Sequence, residues 1–187
     1  MIRRIALSCL ICVIGPLSTK AGVADSSAAG FTVKVTMHIQ STPDDVYRRL
    51  VHNVGEWWNP AHTYSGDSRA LTIDNRAPGC FCERLPNLGT VRHMEVIMAA
   101  PGERLVMSGA LGPLQPYAVT GVMTVQLSAD SGGTKLAATY AVGGYLPAGL
   151  NTWAAPVDSV LTEQFTRLKS YVENGPGALT QEKPKQP

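Results

Sequence analysis

The sequence predicts an α+β fold: a curved, seven-stranded antiparallel sheet around a long C-terminal helix, with two short helices after the first strand. Three observations support this prediction. Apolar and polar residues alternate strictly from Phe31 to Gln40, as in a strand with one face in water. Between about residues 69 and 143, short apolar runs are separated by turn residues at hairpin spacing. From Trp153 onward, apolar residues recur at intervals of three and four, which indicates an amphipathic helix.

The first 24 residues have the pattern of a secretory signal peptide. A basic start is followed by an apolar run over residues 5–15, which is shorter than the ~20 residues needed to cross a bilayer. Small residues in Gly22-Val23-Ala24 place cleavage before Asp25, with Ala21 as the second choice. An uncleaved N-terminal anchor is the alternative. We expect a periplasmic or secreted protein without stable membrane insertion after cleavage.

Composition argues against a nucleic-acid partner. The chain of 187 residues has 16 Lys and Arg against 14 Asp and Glu, a formal charge of +2. Removing Arg3, Arg4 and Lys20 with the leader changes this balance to about −1. The rest of the chain has no basic run, and aromatic residues make up only 6% of the full sequence. The 44% hydrophobic content suits a single buried core, which we place in residues 31–174 after a linker at 25–30.

The two short helices are predicted from capping residues and breakers. Thr42 can cap a helix over Pro43–Val51, whose first turn contains proline and two aspartates. We expect Gly55 to break this helix. A second short turn of helix then carries Trp57 and Trp58.

Turn residues separate the remaining elements. The long helix has about 20 residues and is expected to end at Asn174-Gly175, before a disordered tail over 175–187. Six strands are predicted before it: Arg69 to Asn75, Gly79 to Leu85, Thr90 to Ala99, Glu103 to Ala110, Tyr117 to Ser128 and Thr134 to Gly143.

This order of elements resembles the helix-grip fold of the START-like superfamily, also called SRPBCC. The resemblance is carried by Thr42 to Leu50 leading into Glu56-Trp57-Trp58, and by the closing helix Val157 to Val172. It covers Phe31 to Glu173. The superfamily includes polyketide cyclases, lipid-transfer proteins, the birch-pollen-allergen family and homologues of heat-shock ATPase activators. The resemblance implies binding or transport of a small apolar or amphipathic ligand in an internal cavity. We expect no cofactor.

Candidate lining residues come from the strands and the long helix. Met94, Met98, Met107 and Met123 have flexible side chains that suit variable apolar shapes, although they can also simply fill the core. Phe165 lies one helical turn from Leu161 and Leu168 and is predicted to form part of the cavity floor. The predicted ligand-binding residues are Trp58, Phe81, Glu83, Arg92, Met94, Met107, Met123, Tyr140 and Phe165.

A hairpin around Pro86 to Gly89 brings chemically active side chains together. If Leu85 pairs with Thr90, Glu83 faces Arg92 and Cys82 faces His93. The Glu83–Arg92 pair would orient a polar ligand head, or would form a rim salt bridge of little energetic consequence. Glu83 is also the weak candidate for a catalytic acid or base.

Two cysteines remain after leader removal, Cys80 and Cys82. With His93 and Glu95 they match zinc ligands by residue type, but two sulfurs on alternate strand residues do not wrap an ion, so no metal is expected. A Cys80–Cys82 disulfide and two reduced thiols both stay open.

The sequence therefore favours ligand binding, and two other classes of function remain. One is a cyclase- or hydratase-like enzyme using Glu83, and the other is a module acting on an unknown protein of the cell envelope. The chain has no Gly-x-Ser-x-Gly elbow, His-Glu-x-x-His helix or phosphate loop, which weighs against an enzyme. We expect His38, His52 and His62 to be solvated.

Overall fold

The computed structural model describes residues 20–179 as eight antiparallel strands and three α-helices. The sheet order is β1-β2-β8-β7-β6-β5-β4-β3, and the long helix packs mainly against β1 and β2. The strands are β1 Lys20–Ser27, β2 Gly30–Ile39, β3 Leu71–Ile73, β4 Gly79–Arg84, β5 Thr90–Ala100, β6 Arg104–Ser108, β7 Ala118–Asp130 and β8 Gly133–Tyr145; the helices are α1 Pro43–His52, α2 Val54–Trp57 and α3 Asn151–Asn174.

The eighth strand, β1, is the main departure from the predicted architecture. It pairs with β2 from Ser27 opposite Gly30 to Lys20 opposite Thr36. The prediction of an unstructured linker at 25–30 is wrong, because main-chain pairing to the edge of β2 forms a strand from residues with little apolar pattern. β1 also spans the predicted cleavage point. Most of the predicted signal peptide, residues 1–19, lies outside the described residues.

Both ends of α1 and the end of α3 follow from local chemistry. Thr42 Oγ1 accepts a hydrogen bond from the Asp45 main-chain N–H at 3.3 Å, as predicted for the cap. Asn53, rather than Gly55, separates α1 from α2. Gly175 ends α3 with φ 79°, a conformation that favours glycine.

The predicted C-terminal tail is only partly described. Pro176–Leu179 form a 3₁₀ turn, so the predicted disorder is wrong for these residues. Leu179 packs partly against the core, which stabilises the turn. Residues 180–187 lie outside the described part of the chain.

The core lies between α3 and the inner face of the sheet. From β2 it contains the alternating residues Phe31, Val33, Val35 and Met37, and from α3 it contains side chains spaced three and four apart. Burying each such side chain contributes about 1.5–3 kcal/mol. His38 is also buried, and its Nε2 lies 2.9 Å from the Asp130 carbonyl oxygen, so the prediction that His38 is solvated is wrong.

Two irregularities in β5 determine which side chains face inward. Pairing with β4 passes from Phe81–Met94 directly to Cys82–Arg92, so His93 is an extra residue in a β-bulge. The predicted pairs Cys82–His93 and Glu83–Arg92 are therefore wrong, and Glu83 lies opposite Val91. A second register shift between Val96 and Met98 leaves Met98 48% exposed, on the surface instead of in the core.

No helix within residues 20–179 has the length and apolar content needed to cross a membrane.

Candidate ligand-binding cavity

A cavity of about 380 Å³ opens between the first half of α3 and the loops at one end of the sheet. Its volume lies in the lower part of the range of small-molecule sites, about 300–1,000 Å³. Apolar and aromatic side chains form most of its wall. The lining residues are Trp58, Ala61, His62, Thr63, Tyr64, Leu71, Phe81, His93, Leu111, Gly112, Pro113, Trp153, Pro156, Val157, Val160 and Leu161.

Aromatic rings form one connected part of the wall. The Trp58 ring meets the Phe81 ring edge-on, with centroids 5.3 Å apart. The Phe81 ring lies 4.9 Å from the His93 ring, and Tyr64 stacks on His93 at 5.9 Å. Such contacts hold the rings in place and present rigid apolar area to a ligand.

Glu83 is a fully buried carboxylate behind this wall. It accepts hydrogen bonds from the main-chain N–H groups of Tyr64 and Ser65, at 3.1 and 2.5 Å, and lies 2.9 Å from His93 Nε2. Burial acts to raise the pKa of Glu83, but the hydrogen bonds from Ser65, Tyr64 and His93 outweigh it and leave the pKa below its ordinary value. Glu83 is therefore ionised at neutral pH.

His93 is the polar side chain that lies between the Glu83 carboxylate and the cavity. An ionised carboxylate only accepts hydrogen bonds, so His93 Nε2 is the donor to Glu83. Burial lowers the pKa of His93, and the hydrogen bond that it donates to the negatively charged Glu83 opposes this shift only in part. The ring is thus neutral at pH 7, and its other nitrogen, Nδ1, has a free lone pair.

A second histidine lines the cavity closer to solvent. His62 is an exposed residue, as predicted, and its side chain, which is 33% exposed, also borders the cavity. His62 Nε2 lies 3.1 Å from Glu163 Oε2, and the Asn59 side-chain amide donates to the same carboxylate. The Tyr64 hydroxyl donates to the Gly112 carbonyl at 2.8 Å and links two of the loops that border the cavity.

The predicted site residues fall into different places. Trp58 and Phe81 line the cavity, and Glu83 lies behind His93. The Arg92 side chain is 67% exposed and pairs with Glu95 at 3.6 Å, so the predicted Glu83–Arg92 ion pair is absent from the described structure. The bulge at His93 explains both outcomes, because it turns the histidine inward and leaves Arg92 outside.

The other predicted lining residues are core residues. Met94 and Met107 are buried away from the cavity. Met123, Tyr140 and Phe165 border a separate void with no room for a water molecule. Phe165 is therefore not part of the floor of the main cavity; that floor is formed from α3 residues nearer its start.

Sequence reasoning missed several wall residues. Strict alternation along β5 would place His93 on the face opposite Met94, because alternation alone cannot reveal a bulge. Tyr64 and Leu111 lie in loops and Pro113 lies in a 3₁₀ turn, where the sequence shows no periodicity. Trp153 could have been found, since it is a large aromatic residue at the start of the predicted helix.

Cys80 and Cys82 form a disulfide with a Cα–Cα distance of 5.4 Å. This resolves the alternatives left open by the sequence. The bulge places His93 on the inner face of the sheet. His93 is therefore not opposite Cys82, the position in which it would have joined the two cysteines and Glu95 as a zinc ligand. Within residues 20–179, no cluster of three or more His, Cys, Asp or Glu side chains could hold a metal ion.

No family model and no curated protein matches this chain. Solved structures do match. A conserved protein of unknown function from Enterococcus faecalis is 16% identical with a TM-score of 0.58, and the match covers 90% of this chain and 82% of that one. CalU16 from Micromonospora echinospora is 14% identical with a TM-score of 0.53, over 86% of each chain.

DynU16, a protein of the dynemicin biosynthetic locus, is 16% identical with a TM-score of 0.54, over 77% of this chain and 48% of that one. At such low identities these similarities show the fold alone. The chain has an α+β fold of the helix-grip type, in which a curved antiparallel sheet packs against a long C-terminal helix.

Proposed function

We propose that this protein binds a small, mainly apolar molecule in the cavity between α3 and the sheet. The main support for the proposal is the cavity itself. Its space of about 380 Å³ is lined by side chains that include Trp58, Phe81, Trp153 and Val160. A site of this volume with mostly apolar walls and a few polar groups is typical of ligand-binding proteins. The similarity in fold to CalU16 and DynU16 is compatible with this function.

Native mass spectrometry of the protein purified from its own host tests this proposal. We expect a species heavier than the chain by one small molecule, which organic solvent releases. A stoichiometric protein partner together with an empty cavity would instead support the interaction module and contradict ligand carriage.

A second candidate function, proton transfer on the bound molecule, is favoured by the pairing of His93 with Glu83. His93 Nδ1 would take a proton from an acidic C–H or O–H of the ligand, and the Glu83 carboxylate would stabilise the imidazolium that forms. The proton would return from Nδ1 to another atom of the same ligand, so no further reactant is needed.

Hydrogen exchange tests this second candidate. The probe is 2-tetralone, a bicyclic aromatic ketone whose hydrogens next to the carbonyl exchange in D₂O. An enzyme should accelerate this exchange with saturation, and Glu83→Gln should slow the catalysed rate by ~100-fold. Exchange at the buffer rate by wild-type protein would contradict this candidate and leave ligand binding in place.

We also propose that the protein is exported and functions in the periplasm or outside the cell. The Cys80–Cys82 disulfide supports this, since such bonds persist mainly in oxidising compartments. The basic and apolar start of the chain supports it independently.

A further inference from the structure

The contacts of His93 determine which kind of polar group a ligand must carry. Nε2 donates to Glu83, whose carboxylate is held by two main-chain N–H groups and has no exposed surface. The rings of Tyr64 and Phe81 both pack against the imidazole and restrain it. The hydrogen on Nε2 is therefore used in the hydrogen bond to Glu83. The ring can offer a ligand in the cavity only an acceptor, Nδ1.

Nδ1 of His93 is an acceptor without a partner. Within residues 20–179 it receives no hydrogen bond, although the residue is only 6% exposed and forms part of the cavity wall. Nδ1 is not fully cut off from solvent, so a molecule in the cavity can reach it. A ligand donor placed against Nδ1 would form a hydrogen bond with it.

Three other polar side chains of the wall already use their hydrogens. Trp58 Nε1 donates to the His62 carbonyl at 3.0 Å, and the Thr63 hydroxyl donates to the Pro60 carbonyl at 2.7 Å. The Tyr64 hydroxyl donates to the Gly112 carbonyl. These groups therefore have few hydrogen-bond donors left for a ligand carbonyl. The buried negative charge of Glu83 also disfavours a ligand carboxylate beside His93.

We propose that the cavity selects neutral aromatic alcohols, whose hydroxyl donates a hydrogen bond to His93 Nδ1 while the rings pack against Trp58 and Phe81. This inference rests on the proposed function, since it specifies the ligand class of the same cavity. It excludes fatty-acid-like molecules with an ionised head as the preferred ligands.

Three naphthalene derivatives of similar size test the inference by calorimetric titration: 2-naphthol, 2-methoxynaphthalene and 2-naphthoate. We expect wild-type protein to bind 2-naphthol about tenfold more tightly than 2-methoxynaphthalene, with 2-naphthoate weakest. His93→Phe should bring the first two affinities to about the same value. The ratio is measured within each variant, so it does not depend on the stability of that variant.

A measurement on wild-type protein removes any dependence on the variant folding. The ¹⁵N resonance of His93 Nδ1 should move to lower shift on addition of 2-naphthol and stay unchanged with 2-methoxynaphthalene. Equal affinities for these two probes, or no resonance change, would overturn the inference while leaving the proposed function intact. Failure of all three probes to bind would overturn both.

Discussion

Glu83 is a buried charge whose stability depends on donors from two separate segments. The Tyr64-Ser65 main chain and the His93 ring both point hydrogens at its carboxylate. Removing the charge while keeping the shape leaves these donors without a strong acceptor.

Glu83→Gln should therefore lower the free energy of unfolding by about 1.5–3 kcal/mol, the range for hydrogen bonds to charged groups. Urea denaturation measures this. Glu95→Gln is the matched control, because the Glu95 side chain is 43% exposed and its ion pair with Arg92 is a surface one. Equal stability of Glu83→Gln and wild type would show that the carboxylate is not held as described.

The pH dependence of stability should report the same pair of residues. The pKa values of His93 and Glu83 are both below their ordinary values of 6.5 and 4.5, so the unfolded chain takes up each proton first as pH falls. The free energy of unfolding should decrease as pH falls below about 6.5, and again below about 4.5. Urea midpoints between pH 7 and 5 that do not change would contradict the lowered pKa of His93.

At the residue scale, the sequence predicted which strands meet but not which side chains point inward. The predicted pairing of Phe81 with Met94 is confirmed, Phe81 lines the cavity, and Glu83 lies behind His93. Because His93 is an extra residue in β5, the alternation of inward and outward side chains fails at that position. The Glu83 carboxylate therefore pairs with His93 instead of the predicted Arg92.

At the element scale, α3 divides into two halves with different surroundings. Trp153, Val157 and Val160 near its start line the cavity, while Phe165 and Leu168 are buried against the sheet. One helix therefore contributes both to the cavity wall and to core packing.

Truncations along α3 should separate these two roles. Leu168→Ala and Phe165→Ala should cost about 2–5 and 3–5 kcal/mol of stability, because each leaves a hole in a packed core. Neither should change binding of the neutral fluorescent probe N-phenyl-1-naphthylamine. Altered probe affinity in Phe165→Ala at little cost in stability would show that Phe165 borders the ligand site after all.

The periodicity of the sequence was sufficient for most elements. Seven strands and α3 were predicted close to their observed bounds, since alternation and three-to-four spacing are strong signals there. β1 was missed because its sequence, KAGVADSS, is small and polar, and it owes its structure to pairing with β2.

At the scale of the whole molecule, β1 links the fold to the proposed export. The predicted cleavage before Asp25 would leave only Asp25–Ser27 of this strand, opposite Gly30 to Thr32. Because α3 packs mainly on β2 and β1, the core residues of β2 would still be covered by the helix.

Intact mass of the protein recovered from culture medium or periplasm tests the processing. We expect a chain that begins at Asp25 and is two hydrogens lighter than the reduced form, owing to the Cys80–Cys82 disulfide. A cell-associated product that retains residues 1–24 would contradict the proposed export.

Filling the cavity tests the central claim that it is a binding site. Val160 lines the cavity, whereas its neighbour Ser159 is exposed, so Val160→Trp and Ser159→Trp add a tryptophan to the inside and the outside of the same helix turn. With both variants folded by circular dichroism, N-phenyl-1-naphthylamine should bind at least about tenfold more weakly to Val160→Trp and unchanged to Ser159→Trp. Equal binding to both variants would contradict a ligand site in this cavity.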